Sequence, residues 1–177
     1  MKFLSNIRLL LLGLWLGAAC FFSFAVAPSA FAVLPARELA GAMVSRSLMI
    51  VNLSGLVIGL ILFVTSFVAA QNASRAVAWA ERALLVVVTL ACAVGQFVIA
   101  LWLSFVRTQM GRPIDEVPLE DPLRVQFNNL HEYSVWVLVA AMTAALAAFF
   151  LIAAKNFNQP KTAAPAKDFD FQKDFKI

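Results

Sequence analysis

The stretch ALLVVVTLACAVGQFVIALWLSFV, residues 83–106, decides the fold, because it carries no charge from end to end. Its length exceeds the roughly 20 residues a helix needs to cross the hydrocarbon of a bilayer. Leu9–Ala36, Ser47–Ser74 and Tyr133–Ala154 are charge-free runs that meet the same requirement. Hydrocarbon offers no water to backbone N–H and C=O groups, so each crossing must be helical, and these runs are too long for barrel strands. The spans are predicted at about 8–33, 47–71, 82–107 and 130–155, an all-α, integral membrane four-helix bundle within residues 1–155. Composition agrees: 14% of residues are charged and 62% hydrophobic, where a soluble domain has about 25% charged.

The positions of Lys and Arg set the expected orientation. Lys2, Arg8, Arg75, Arg82, Lys155, Lys161, Lys167, Lys173 and Lys176 fall on one side, and Arg37, Arg46, Arg107, Arg112 and Arg124 on the other. Nine against five, together the chain's 14 basic residues, puts both termini in the cytoplasm of a plasma membrane by the positive-inside rule. The sequence pI of about 9.4 then reflects orientation, and the scattered basic residues predict no nucleic-acid partner. Cys20 and Cys92 lie inside predicted spans and read as small core residues.

The N-terminal run is longer than the 7–15 residues of a secretory signal core, so it reads as a retained span. Pro28 within it removes a backbone donor and predicts a kink or break. Gly13–Gly17 and Gly55–Gly59 are GxxxG pairs, and Ala140 and Ala144, beside Ala141, Ala145 and Ala148, form a small-residue face; all are expected at close helix contacts. Residues 35–46 have helical composition and read as an interfacial helix or an extension of the second span. Trp79, Trp102 and Trp136 near span ends read as interfacial anchors.

Polar residues inside the spans include Ser23, Asn52, Ser54, Thr65, Ser66, Thr89, Gln96 and Thr143, none ionisable. Pumps and ion-coupled carriers rely on intramembrane charge, so this pattern argues against them. Asn52, Gln96 and Arg107 are the expected interhelical polar contacts. The 107–128 connection, with three prolines and four acids, is predicted to be extended and solvent-facing. The last helix is expected to start at Asn129, capped by that residue with Glu132. The chain's single histidine, His131, would then lie in a first turn whose dipole favours the neutral ring. Beyond residue 155 the tail reads as disordered, with Phe169, Phe171 and Phe175 as a docking segment for a partner or a membrane face.

Two regions together resemble the transmembrane protein 205-like family, also known as domain of unknown function 4149. The first is Leu12-Gly13-Leu-Trp-Leu-Gly17-Ala-Ala-Cys-Phe21-Phe22 leading into Ala27-Pro28-Ser-Ala-Phe31 and Ala40-Gly41. The second is Arg107 followed by Phe127, Leu130-His131 and Ser134. The resemblance spans roughly Leu9 to Ala154 and implies a four-helix membrane protein with no agreed activity; the tail lies outside it.

Catalysis needs a nucleophile with its base, paired carboxylates or a metal set. One histidine and two span cysteines provide none of these, so no enzyme is expected. The chain carries 16 Phe, and Phe21, Phe22 and Phe97 among the span aromatics are expected to offer apolar ligand surface. The predicted function is an accessory subunit of a larger membrane complex. It would pack on other membrane subunits and hold lipid or a long apolar ligand such as a carotenoid or chlorophyll-type pigment. The alternative is a channel or carrier for a small solute. His131 is expected as an interhelical hydrogen-bonder near Arg107, and secondarily as a cofactor ligand.

Overall fold

The computed structural model describes residues 2–69 and 74–157, all in four long helices and their connections. Helix α1 runs over Lys2–Phe21, passes through a π-helical turn at Phe22–Val26 and continues over Ala27–Val33. Helix α2 is Arg37–Ala69. Helix α3 comprises Arg75–Val94, a π-helical turn at Gly95–Ile99 and Ala100–Met110. Helix α4 is Pro122–Phe157. Each is long and apolar enough to span a membrane, and the described residues contain no strand. The tail beyond Phe157, with its expected docking segment, lies outside the described residues.

Residues 37–46 take the second of their two expected readings and extend the second span, so helix α2 starts at Arg37. Two other expectations fail. Helix α4 starts at Pro122, not Asn129. The Asp121 side chain accepts from the Leu123 backbone N–H at 2.9 Å, and Pro122, which has no N–H to lose, fits the first helical position. Helix α1 does not end at Pro28. The π turn just before it closes with the Ala27 N–H bonded to the Phe22 carbonyl, so the widened turn absorbs the proline without a break.

Each helix packs against its neighbours in sequence, and α4 returns to α1, closing a four-sided bundle. The buried stripes recur at helical spacing. They are Arg8, Leu12, Trp15, Ala19 and Phe22 on α1; Val51, Asn52, Gly55, Gly59, Leu62 and Ser66 on α2; Ala78, Glu81, Leu85, Val88 and Cys92 on α3; and Ala141, Ala144, Ala145, Ala148 and Ile152 on α4. Most other large apolar side chains face outward, as lipid requires.

Close approach between helices falls at one of the two expected GxxxG pairs, Gly55–Gly59. A Cβ at Gly55 would come within 2.5 Å of the Trp15 indole nitrogen and 2.6 Å of the Cys92 sulfur, and one at Gly59 would collide with the Thr89 hydroxyl. The Trp15 indole fills that gap and donates to the Val51 carbonyl at 2.9 Å. Gly13 packs near Phe149, whereas Gly17 has nothing within reach and faces out of the bundle. Ala140 is likewise exposed, so the packing face of α4 is Ala141, Ala144, Ala145 and Ala148.

The end of the bundle where α1 begins and α4 finishes is joined by charge. Arg8 is 2% and Glu81 1% exposed. The Arg8 guanidinium donates to Glu81 at 2.6 Å and to the Leu62 carbonyl at 3.0 Å. Lys155 pairs with the other oxygen of Glu81. One carboxylate thus ties α1, α3 and α4, and Arg8 reaches α2 as well. Beside it, the Arg82 guanidinium lies 4.2 Å from the Phe67 ring centre, a cation–π contact between α3 and α2. The expectation that no ionisable group lies between the helices is therefore wrong. Arg8 and Glu81 sit at the charged edges of the apolar runs, yet they occupy the next positions of the buried stripes.

Candidate functional site

At the opposite end the bundle opens. Helices α2 and α3 pack closely as far as Gly95, where a Cβ would meet the Asn52 amide at 3.2 Å. The π turn at Gly95–Ile99 intervenes, and beyond it the two helices separate. The gap between them is a crevice of about 400 Å³, within the range of small-molecule sites. Phe31 of α1, Val44, Leu48 and Met49 of α2, and Ala100 and Leu103 of α3 form its apolar walls. Its polar lining comes from Arg37, Ser45, Gln96, Ser104, Arg107, Asp115, Arg124, Asn128, His131 and Ser134. Gln96 to Arg107 on α3 spans about 16 Å along the axis at 1.5 Å per residue, so Gln96 lies well below Arg107.

The rim is built by the α3–α4 connection, which is mostly solvent-exposed as expected but turns instead of running extended. Gly111, at φ +64°, ends α3 in the left-handed conformation that glycine adopts freely. A 3-10 turn at Ile114–Glu116 follows, and Val117 is buried at 3% exposure. Asp115 pairs with Arg37 at 3.1 Å, linking the connection to the start of α2. Arg124 donates to the Val117 carbonyl. Arg107 lies over the Phe127 ring, 5.5 Å from its centre, and reaches toward Gly41 of α2.

Two buried polar atoms of the lining have no hydrogen-bond partner, the Gln96 side-chain oxygen and the Arg124 Nε. Buried polar groups are usually satisfied, so each of these atoms can take a further hydrogen bond. A carbonyl oxygen asks for a donor, and a guanidinium nitrogen for an acceptor.

The structure brings three of the sequence candidates together: His131, Arg107 and Gln96 line the same crevice. The helix-dipole argument for a neutral His131 fails, since the ring lies nine residues beyond Pro122 instead of in the first turn. Its carbonyl accepts from the Ser134 hydroxyl at 2.7 Å, and Glu132 accepts from the Trp136 indole at 3.5 Å instead of capping. Asn52 is buried in the core beneath the crevice. Phe22 is also a core residue, and Phe21 and Phe97 face outward. The aromatics of the crevice are Phe31 and Phe127. Among the described residues no group of three or more His, Cys, Asp or Glu is placed to hold a metal ion.

Arg37, Arg124 and Asp115 were not singled out as site residues by sequence. Their only signal is that the connection carrying Asp115 and Arg124 is rich in charge, and which charges turn inward depends on how it folds.

No curated protein and no solved structure matches the chain. A family model described as a domain of unknown function, DUF4149, matches residues 10–112, from α1 to the end of α3. That match covers more than half of the chain, which therefore belongs to the DUF4149 family.

Proposed function

We propose that this protein is a non-catalytic membrane subunit that holds one lipid-like molecule in the crevice between α2, α3 and α4. The observation that carries the reading is the lining, with apolar walls from Phe31, Leu48, Met49 and Leu103 beside a rim of guanidiniums. A long apolar chain with a polar head satisfies both. Carotenoid and chlorophyll-type pigments are the weaker candidates, because a hydrocarbon polyene leaves the rim arginines and the Gln96 oxygen unpaired.

A channel or carrier is also the weaker reading. Below Gln96, the side chains of Leu62, Leu85, Val88, Cys92, Ala145 and Ala148 fill the bundle, and the Arg8–Glu81–Lys155 cluster closes its far end. Holding requires none of these to move. The accessory role is supported by Gly17, Ala18 and Ala140, small residues on the outer surface where another membrane helix can approach closely. The surplus of Lys and Arg at the terminal end supports a cytoplasmic location for both termini in the plasma membrane.

The test is lipid analysis of the full chain purified in mild detergent from native membranes. One lipid-like molecule per protein is expected, and Ala100→Trp, which fills the crevice, should remove it. Wild-type protein without a stoichiometric ligand, or unchanged retention by folded Ala100→Trp, refutes the reading. Blue-native electrophoresis of the same membranes tests the subunit role, which a monomer alone would contradict.

A further inference from the structure

We propose that the head of the bound molecule is an anion, a phosphate or carboxylate group, held by Arg107 and Arg124; this rests on the lipid-holding reading above. The argument starts from charge. The crevice lining has three guanidiniums, Arg37, Arg107 and Arg124, and one carboxylate, Asp115. Asp115 is committed to Arg37 at 3.1 Å. In the small recess adjoining the rim, Glu38 and Arg112 balance one another in formal charge. The surplus is therefore two positive charges, on Arg107 and Arg124.

Neither of these has an ion-pair partner among the described residues. Arg124 donates through Nη1 to a backbone carbonyl, and its Nε is buried with no acceptor. The Arg107 guanidinium rests on the face of Phe127 and lies near Gly41; the residue is exposed, so an anion can reach it. The buried Arg124 Nε, beside apolar walls and without an acceptor, is costly. A phosphate or carboxylate accepts the paired N–H groups of arginine in a matching planar geometry and offsets that cost. A zwitterionic head brings its own cation and repels the second arginine.

The same anion chemistry is found on an amphiphile and on a free ion, and one experiment separates them. Radiolabelled dioleoyl phosphatidic acid is bound to the full chain in mild detergent and competed with unlabelled phosphatidic acid, dioleoyl phosphatidylcholine or inorganic phosphate. Phosphatidic acid should compete at least tenfold better than phosphatidylcholine. Arg107→Gln and Arg124→Gln should each weaken its binding about tenfold or more, the scale of a lost charged hydrogen bond. Arg107→Lys keeps the charge without the fork and should fall between Arg107→Gln and wild type. Arg46→Gln, exposed and outside the crevice, should bind like wild type.

Equal competition by phosphatidylcholine overturns the anion assignment and leaves lipid holding intact. Competition by inorganic phosphate at the strength of phosphatidic acid upholds the anion site and overturns the lipid reading. No saturable binding of phosphatidic acid overturns both. An Arg46→Gln loss equal to that of Arg107→Gln assigns the effect to surface charge and overturns the site.

Discussion

Replacing Glu81 by glutamine should destabilise the bundle more than any other single change at its terminal end. The Glu81 carboxylate is 2% exposed and faces two cations, Arg8 with its side chain 3% exposed and Lys155 at 18%. The cluster has a net charge of +1. Glu81→Gln raises it to +2 and strands Arg8 in the interior, and breaking a buried pair in this way costs about 3–5 kcal/mol. Lys155 contributes less of that loss, since its flexible, partly exposed side chain can swing the ammonium toward the headgroups. Lys155→Gln leaves the balanced Arg8–Glu81 pair and should cost about 1 kcal/mol or less. The double variant Arg8→Met/Glu81→Leu removes the buried charges together and should recover most of the stability, because well-packed apolar replacements of buried pairs are often neutral or better. Thermal unfolding of the full chain in detergent, followed by circular dichroism, measures all of these. At about 2–4 °C per kcal/mol for a chain of this size, Glu81→Gln should lower the midpoint by roughly 6–20 °C and Lys155→Gln by only a few degrees. Equal losses for Glu81→Gln and Lys155→Gln, or a double variant as unstable as Glu81→Gln, would refute the charge argument.

Other positions give smaller signals. Gly55→Ala forces a methyl group against Trp15 and Cys92 and should cost about 1–3 kcal/mol by overpacking; the same unfolding assay should show Gly17→Ala, with open space around it, neutral or stabilising by up to about 1 kcal/mol. Asp121→Ala removes the cap of α4 and should cost about 1 kcal/mol, with faster hydrogen exchange confined to residues around Pro122–Gln126. Asp115→Asn breaks an ion pair whose side chains are 67% and 49% exposed, so stability should change by less than about 1 kcal/mol. The freed Arg37 should tighten phosphatidic acid binding at low salt, an effect that disappears as ionic strength rises.

Much of the fold was legible in the amino-acid order because lipid leaves few alternatives. A charge-free run of span length can only be a helix there, and four such runs joined by short connections return each helix beside the last. The ends were harder. Counting charge-free residues stops each run at its first charge, which left Arg8 at the edge of the first span and Glu81 just outside the third. The stripe Ala78, Glu81, Leu85, Val88, Cys92 would have found Glu81, since its spacing continues the buried face through the acid. The start of α4 was also written plainly, as Asp121-Pro122, a cap followed by a residue suited to the first turn; polar Asn129 drew the reading downstream. Gln96, Arg107 and His131 stood out as rare polar residues beside apolar runs. That they share a crevice was not readable, because it depends on where α2 and α3 part beyond the π turn, and no residue count gives that geometry.

The Arg8 cluster also bears on how the chain is made. Arg8 and its carboxylate are 73 residues apart in sequence, and Glu81 and Lys155 are 74. At 5–20 residues per second of synthesis, Arg8 waits roughly 4–15 s for Glu81 to emerge, and Glu81 waits about as long again for Lys155. Through the first interval α1 carries an unpaired cation that is stable only at the headgroups. The first helix is therefore expected to lodge shallowly and reach its final depth when α3 arrives, so that folding of the N-terminal span is timed by the third.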